Sequence, residues 1–287
     1  MSTMNIAVIG GGTMGSGIAL TAATHGMGAR IIDVNGDQLV RAKAYHKKQC
    51  NRAVSKQRMT EEEATTALGR ISYNDTMSTA SDAEWVIEAA TENLEIKKSL
   101  FADMQETFGD DVVLASNTSS ISITDLANAT KGAEHRIIGM HFFNPVPVMK
   151  LVEVIRGKQT SDETAAATMT LSESMGKTPV LANDFAGFVS NRVLMPMINE
   201  AFHAWTDGVA NPEDIDSIMQ LGCAFPMGPL RLADYIGLDV CRDIMMVMYN
   251  GLDENSKYLP SSKLVELVEA GYFGDKSGRG VYKYEKG

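Results

Sequence analysis

The chain has 287 residues, of which 44% are hydrophobic and 22% are charged, a composition typical of globular proteins that excludes a disordered or low-complexity chain. The formal net charge is −10, which argues against nucleic acid as a partner. No apolar run approaches the roughly 18 residues of a membrane span, so we expect no membrane partner. The cysteines, Cys50, Cys223 and Cys241, have no metal-ligand spacing and indicate a reducing compartment such as the cytoplasm.

The first half of the chain alternates short apolar runs with helical patterns, which is typical of βαβ units and a mostly parallel sheet. The predicted strands cover residues 5–9, 29–34, 84–90, 111–116, 136–142, 150–155 and 178–182. The first of them begins too early for a signal or transit peptide to precede it, so we expect none. Residues 36–68 interrupt the alternation and predict a helical pair with a break near Arg58–Thr60, where Thr60 and Glu63 have capping-box spacing.

The pattern becomes helical after about residue 186. We expect helices over 188–206, from Asn211 onward, over 229–249 with an interruption at Gly237, and over 261–270. The predicted fold is therefore α/β: a Rossmann-type doubly wound sheet with an inserted helical pair in residues 1–185, then an all-α C-terminal domain in residues 186–287. We interpret the methionines of the second domain mainly as core residues, with a subunit interface as a use for the excess.

A glycine-rich turn follows the first predicted strand and opens a predicted helix. Its residues are Gly10, Gly11, Gly12, Thr13, Met14 and Gly15, in the pattern G-x-G-x-x-G. Asp33 ends the second strand, 18 residues beyond the last glycine. This context predicts dinucleotide binding, with the pyrophosphate at the helix N-terminus and the Asp33 carboxylate on the adenosine ribose. A carboxylate repels a 2′-phosphate and no Arg follows it, so NAD is favoured over NADP.

A basic stretch covers residues 41–58, which contain seven Lys or Arg residues and no acid. Lys48, Arg52 and Lys56 are spaced four residues apart and so share one helix face. Two interpretations stay open at this point. The face is either a solvated helix surface or a binding surface for a small molecule with several phosphate groups.

A histidine and a glutamate lie twelve residues apart on consecutive predicted strands. His141 ends one strand, where open α/β sheets place their chemistry, and Glu153 is the one acid in the apolar run LVEVI. An acid inside a strand core is costly unless it is paired. We therefore interpret His141 as a general base that Glu153 orients. No residue spacing predicts a metal site.

Several stretches, in this order along the chain, resemble the 3-hydroxyacyl-CoA dehydrogenase family, and most closely its bacterial 3-hydroxybutyryl-CoA dehydrogenase branch. They are GGGTMG (10–15), ATENLEIK (90–97), ASNTSS (115–120), HFFNPVPVMKLVEVI (141–155), GFVSNR (187–192), PMGP (226–229) and KSGRGVYKY (276–284). The resemblance implies an oxidoreductase that interconverts L-3-hydroxyacyl-CoA and 3-oxoacyl-CoA with NAD, in fatty-acid metabolism or butyrate synthesis. It also implies a homodimer or higher homo-oligomer.

The resemblance further implies roles for individual residues. The catalytic groups would be His141, Glu153, Ser119 and Asn191. The residues around NAD would be the glycine turn with Asp33, Glu92, Lys97, Ser119, Asn144 and Lys276. The CoA part of the acyl-CoA substrate would lie on Lys48, Arg52 and Lys56, with Ser119 at its reacting end.

Two other functions remain as alternatives. A related dehydrogenase could act on a free hydroxy acid or sugar acid, and dependence on CoA separates it from the first reading. The second alternative is a nicotinamide-binding protein without catalytic activity, and a measurement of turnover distinguishes it from an enzyme.

Overall fold

The computed structural model describes residues 4–284 of the chain. One compact unit ends at Asp184 and a second begins at Phe185. Each unit has its own hydrophobic core of buried aliphatic and aromatic side chains. The two units are described separately below.

The described part of the first unit contains eight strands in one sheet. They are β1 (Asn5–Ile9), β2 (Gly28–Ile32), β3 (Ile71–Asn74), β4 (Trp85–Glu88), β5 (Val113–Ser116), β6 (Ile137–Phe142), β7 (Leu151–Arg156) and β8 (Thr178–Asn183). Their spatial order is β3-β2-β1-β4-β5-β6-β7-β8, and every neighbouring pair is parallel except β6 and β7. The predicted α/β, Rossmann-type fold is confirmed. The strand order reverses between β1 and β4, where such sheets bind their ligands.

In the described part of this unit, six α-helices lie between the strands. They are α1 (Thr13–Thr24), α2 (Gly36–Ser55), α3 (Glu61–Gly69), α4 (Leu94–Thr107), α5 (Ile123–Ala127) and α6 (Asp162–Ser174). The predicted helical pair is present as α2 and α3. Its capping box is present too, because the Thr60 hydroxyl accepts from the Glu63 amide at 3.1 Å and the Thr60 amide donates to the Glu63 carboxylate at 2.8 Å.

Strand β3 was missing from the sequence prediction. Its four residues, ISYN, form the edge of the sheet, and only Ile71 among them is buried. A short strand with one buried side chain has neither the apolar run nor the full alternation that identifies longer strands. Pairing with β2 from Ala29 to Ile32 therefore decides its conformation.

The second unit is helical in its described part. Its helices are α7 (Ser190–Thr206), α8 (Pro212–Cys223), α9 (Pro229–Ile236), α10 (Leu238–Gly251) and α11 (Ser262–Glu269). The predicted interruption at Gly237 separates α9 from α10. Of the methionines, Met195, Met245 and Met248 are almost completely buried and belong to the core, as predicted.

The segment KSGRGVYKY, at residues 276–284, is held against α9 by one buried carboxylate. Asp234 is 1% exposed and accepts hydrogen bonds from the amides of Val281 and Tyr282, both at 2.9 Å, and from the Tyr284 hydroxyl at 2.6 Å. A Cβ at Gly280 would lie 2.0 Å from the Asp234 carboxylate. The glycine thus permits the close approach, and Asp234 fastens the C-terminal segment.

Replacing Asp234 with Ala leaves these donors without their acceptor, so we expect the free energy of unfolding of the second unit to fall by about 2 kcal/mol. Urea unfolding followed by Trp205 fluorescence, in a Trp85→Phe background, measures this unit. Asp243→Ala is the control, since it removes the same charge from an exposed ion pair worth at most about 1 kcal/mol. Equal losses in the two variants would contradict the role given to Asp234.

Candidate active site

The glycine turn between β1 and α1 is shaped by two close backbone approaches. Gly10 has a φ of +109°, and a Cβ there would lie 2.6 Å from the Ala89 carbonyl oxygen. A Cβ at Gly15 would lie 1.9 Å from the Gly10 carbonyl oxygen. At Gly12, by contrast, a Cβ would meet nothing within 4 Å. The backbone at Gly12 therefore faces open space, as a turn that approaches a pyrophosphate requires.

Asp33 is fixed by the backbone around it. Its carboxylate accepts from the Gly11 amide at 2.7 Å and from the Asn35 amide at 2.8 Å. A cavity of about 940 Å³ opens beside it. The lining includes Gly10, Gly12, Thr13, Met14, Asp33, Val34, Ala90, Ile96 and Leu100. A groove with an acidic end and a glycine turn fits an adenine dinucleotide whose ribose carries free hydroxyls.

Glu92 is bonded to the serine-rich turn after β5. Its Oε1 accepts from the Thr118 hydroxyl at 2.6 Å, from the Ser119 and Ser120 amides at 3.0 and 3.1 Å, and from the Ser120 hydroxyl at 3.0 Å. The Ser119 hydroxyl is 3.3 Å from the same oxygen. The structure thus brings two predicted site residues, Glu92 and Ser119, into direct contact.

Lys97 lies beneath this turn and is almost completely buried. Its Nζ donates to Glu88 at 2.6 Å and is 3.6 Å from the Glu92 carboxylate. Glu88, at the end of β4, is itself fully buried and also accepts from the Ser116 hydroxyl at 2.6 Å and the Ala90 amide at 2.7 Å. Buried charges of this kind persist when every partner is satisfied. Lys97 therefore braces the ends of β4 and β5 from below.

His141 and Glu153 face each other across the antiparallel pair β6 and β7. They are directly opposite in the register, and His141 Nδ1 is 2.8 Å from Glu153 Oε2. Both side chains are buried. The Phe143 ring packs at 4.6 Å from the imidazole centroid. Because a carboxylate only accepts hydrogen bonds, this contact places the proton of a neutral imidazole on Nδ1 and the lone pair on Nε2.

The ends of β5 and β6 are joined by Asn117, which sequence reasoning did not single out. Its side-chain oxygen accepts from the Phe142 amide at 2.9 Å. This bond ties the serine-rich turn to the residue that follows His141. Asn144, predicted near NAD, lies two residues farther on and is exposed.

A smaller cleft of about 320 Å³ lies on the basic helix α2. Arg52 and Lys56, both predicted, line it together with Arg58, which the prediction did not name as a site residue. Lys48 is exposed on the same helix but is not among the lining residues. Pro147 and Val148 supply part of the apolar lining. Three cations around an apolar cleft suit a ligand with phosphates and a hydrophobic body.

Two predicted site residues belong to the second unit. Asn191 lies in the first turn of α7 and is 8% exposed. Lys276 lies in the C-terminal segment, and its Nζ donates to Asp239 at 2.6 Å. The Lys276 side chain is 48% exposed, so this is an ion pair at the protein surface.

Residues 4–284 contain no group of three or more His, Cys, Asp or Glu side chains that could hold a metal ion. None of their helices is both long and apolar enough to cross a membrane.

Comparison with family models gives a match over both units. The model of the 3-hydroxyacyl-CoA dehydrogenase NAD-binding domain matches residues 5–185, and that of the C-terminal domain of the same enzymes matches residues 187–284. The chain belongs to the 3-hydroxyacyl-CoA dehydrogenase family. Its cofactor is NAD, in agreement with the glycine turn and Asp33.

Relatives in this dehydrogenase family match the chain over nearly its full length. A probable 3-hydroxybutyryl-CoA dehydrogenase of Bacillus subtilis is 51% identical and covers 100% of this chain and 99% of its own. The human mitochondrial hydroxyacyl-coenzyme A dehydrogenase is 40% identical, over 98% of this chain and 91% of its own length. The crystal structure of (S)-3-hydroxybutyryl-CoA dehydrogenase from Ralstonia eutropha superposes with a TM-score of 0.96 at 46% identity, covering 99% and 100%.

The pKa of Glu92 follows from its position in this dehydrogenase. Burial alone would raise the pKa of the carboxyl group, but the Lys97 ammonium and the hydrogen bonds from Thr118, Ser120 and Ser119 outweigh burial and lower it. A carboxyl group whose pKa is lower in the folded state stabilises that state above its unfolded pKa of about 4.3. That stabilisation is lost as the pH falls through the lower, folded-state value.

We therefore expect Glu92→Gln to destabilise the first unit near neutral pH, with a difference from the unsubstituted protein that shrinks below about pH 4. Urea unfolding between about pH 3 and pH 7, followed by Trp85 fluorescence in a Trp205→Phe background, measures the difference. The control is Glu95→Gln, which removes the charge of an exposed pair with Lys98. A difference that stays constant across this range would contradict the ionic role of Glu92.

Proposed function

We propose that this chain is the NAD-dependent dehydrogenase that interconverts L-3-hydroxybutyryl-CoA and acetoacetyl-CoA. The buried pair His141–Glu153, 2.8 Å apart across β6 and β7, is the observation that carries the proposal. The names of the full-length relatives from Bacillus subtilis and Ralstonia eutropha support the substrate. NAD, held at the turn from Gly10 to Gly15 and at Asp33, would supply the hydride acceptor for the oxidation at C3 of the hydroxyacyl group.

His141 acts as the general base in the oxidation. Its Nε2 takes the proton of the C3 hydroxyl group, and the imidazolium that forms is stabilised by the Glu153 carboxylate on Nδ1. In the reverse direction the imidazolium returns this proton to the oxygen. Ser119 and Asn191 donate hydrogen bonds to substrate oxygens and so stabilise the developing negative charge.

Most of the residues that we assign to the cofactor belong to the first unit. We assign the pyrophosphate to the turn from Gly10 to Gly15 and the adenosine ribose to Asp33. Glu92, Asn144 and Lys276 contact or orient the nicotinamide half, and Lys97 acts from beneath through Glu92. The CoA phosphates lie on Arg52 of α2 and on Lys56, which directly follows this helix, with Arg58 as an additional cation.

The assembly we propose is a homodimer formed through the second unit. Two large apolar side chains of α8 are exposed there, Ile218 at 61% and Leu221 at 89%. Exposed apolar patches of this kind mark protein interfaces. A second copy of the chain is the partner, and sedimentation that gave a monomer at micromolar concentration would contradict it. We place the enzyme in the cytoplasm, because all three cysteines are free thiols.

The decisive experiment measures initial rates with acetoacetyl-CoA and NADH. NADPH and free acetoacetate replace each partner in turn. We expect turnover with NADH and the CoA ester. Turnover with the free acid instead would assign the chain to dehydrogenases of free hydroxy acids or sugar acids, and NADH binding without turnover would indicate a non-catalytic protein.

His141→Ala removes the proposed base, so kcat should fall by at least about 10²-fold while NADH binding is retained. Glu153→Gln keeps the shape of the pair but removes its charge, so it should change the dependence of kcat on pH. Steady-state rates at several pH values measure both effects. His135→Ala, at an exposed histidine of the same unit, is the control. Turnover of His141→Ala at the unsubstituted rate would refute the assignment.

Lys56→Glu reverses one charge in the basic cleft, so KM for acetoacetyl-CoA should rise about tenfold while KM for NADH is unchanged. Lys47→Glu makes the same change at an exposed position of α2 that does not line the cleft. Initial rates at varied concentrations of each ligand separate the effects. If both variants raise both KM values equally, the CoA face lies elsewhere.

A further inference from the structure

The turn between β6 and β7 forms one wall of the basic cleft. Pro147 and Val148 line the cleft, and Val148 leaves 67% of its surface exposed. Within the turn, the Pro145 carbonyl accepts from the amides of Val148 and Met149 at 2.9 and 3.0 Å. These local bonds fold the turn, but they do not fix it to the rest of the sheet.

Lys177 supplies that attachment. The side chain comes from the segment between α6 and β8, is 8% exposed, and donates from Nζ to the carbonyl oxygens of Val146 and Met149, the second at 2.9 Å. These two carbonyls flank Pro147 and Val148 in the chain. One ammonium group thus holds both ends of the two-residue wall.

The turn is also pressed against α1. Val146 is 2% exposed, and a Cβ added at Gly17 of α1 would lie 2.8 Å from the Cβ of Val146. The glycine lets the turn sit directly on the helix that begins at the phosphate-binding turn. The wall of the cleft is therefore fixed from two sides, by Lys177 and by α1.

Lys177 occupies an unfavourable place for a charge. No carboxylate forms a salt bridge with it among residues 4–284, and burial, together with the nearby Lys150, lowers its pKa. An apolar side chain of the same length would fill this space without the cost of desolvating an ammonium group. What the ammonium group adds is the pair of bonds to the turn.

We propose that Lys177 is a positioning residue for the nucleotide half of the CoA thioester, because it holds Pro147 and Val148 as the apolar wall of the cleft that Arg52, Lys56 and Arg58 also line. This role rests on the proposed function and extends it. Lys177 itself touches neither the reacting carbon nor the cleft. It acts through the turn.

The test uses two substrates that differ only in the nucleotide. Acetoacetyl-CoA has the 3′-phosphoadenosine diphosphate group, and acetoacetyl-pantetheine lacks it but keeps the reacting thioester. Lys177→Met keeps an unbranched side chain, one heavy atom shorter, and removes its donors. We expect KM for acetoacetyl-CoA to rise about tenfold, with kcat/KM for the pantetheine ester and KM for NADH within about twofold of their original values.

Two further variants make the result specific. Val148→Ser removes the apolar wall at an exposed position without touching Lys177, so it should show the same substrate-dependent loss even if Lys177→Met fails to fold. Lys158→Met, at an exposed lysine of the same unit, should change neither substrate.

A loss of equal size with both thioesters would overturn the proposal, because it would indicate general damage to the fold. So would an unchanged KM for acetoacetyl-CoA in Lys177→Met and Val148→Ser. If the original enzyme used both thioesters equally well, the cleft would not be the nucleotide site and this proposal would fail while the dehydrogenase activity stood. Failure of the proposed function itself would appear as no turnover of either thioester.

Discussion

The antiparallel pairing of β6 with β7 determines how this site is built. All other neighbouring strands of the sheet are parallel. A parallel pair needs a long crossover connection, so residues that face each other on such strands are far apart in sequence. The antiparallel pair needs only a short turn, and its register sets His141 against Glu153. Cross-strand neighbours have their Cβ atoms about 5 Å apart, which suits a direct contact between an imidazole and a carboxylate. A slip by one residue would send the two side chains to opposite faces of the sheet.

The same turn connects two parts of the site. It follows His141 and Asn144 in the chain, and its apolar residues reach the basic cleft. Lys177 therefore stabilises a segment that runs from the proposed catalytic residue His141 to the proposed CoA cleft. At the ends of the neighbouring strands, Lys97 stabilises the serine-rich turn in a similar way. Its ammonium group lies between the carboxylates of Glu88 and Glu92, and Glu92 is bonded to that turn. In both places a buried ammonium group helps to fix a loop at the end of a strand.

The sequence predicted the sheet, the helical pair and the helical second unit because long apolar runs and turn residues are local signals. It also paired His141 with Glu153, since an acid inside an apolar strand needs a partner. Other features depend on contacts between distant residues. Glu88 reads as one more residue of a buried strand, and nothing nearby in sequence indicates that Ser116 and Lys97 meet its carboxylate. The sequence likewise does not indicate the role of Lys177, because the two carbonyl groups that it contacts lie about thirty residues upstream.

The Asp234 carboxylate has a consequence for how the chain is made. Its three donors lie 47 to 50 residues farther along the chain. During synthesis on the ribosome, α9 emerges before those donors, so the Asp234 carboxylate meets water and Arg231 of its own helix first. The second unit can complete this set of hydrogen bonds only after the chain has been made as far as Tyr284. Vectorial synthesis thus places the Asp234 hydrogen bonds among the late contacts of this unit.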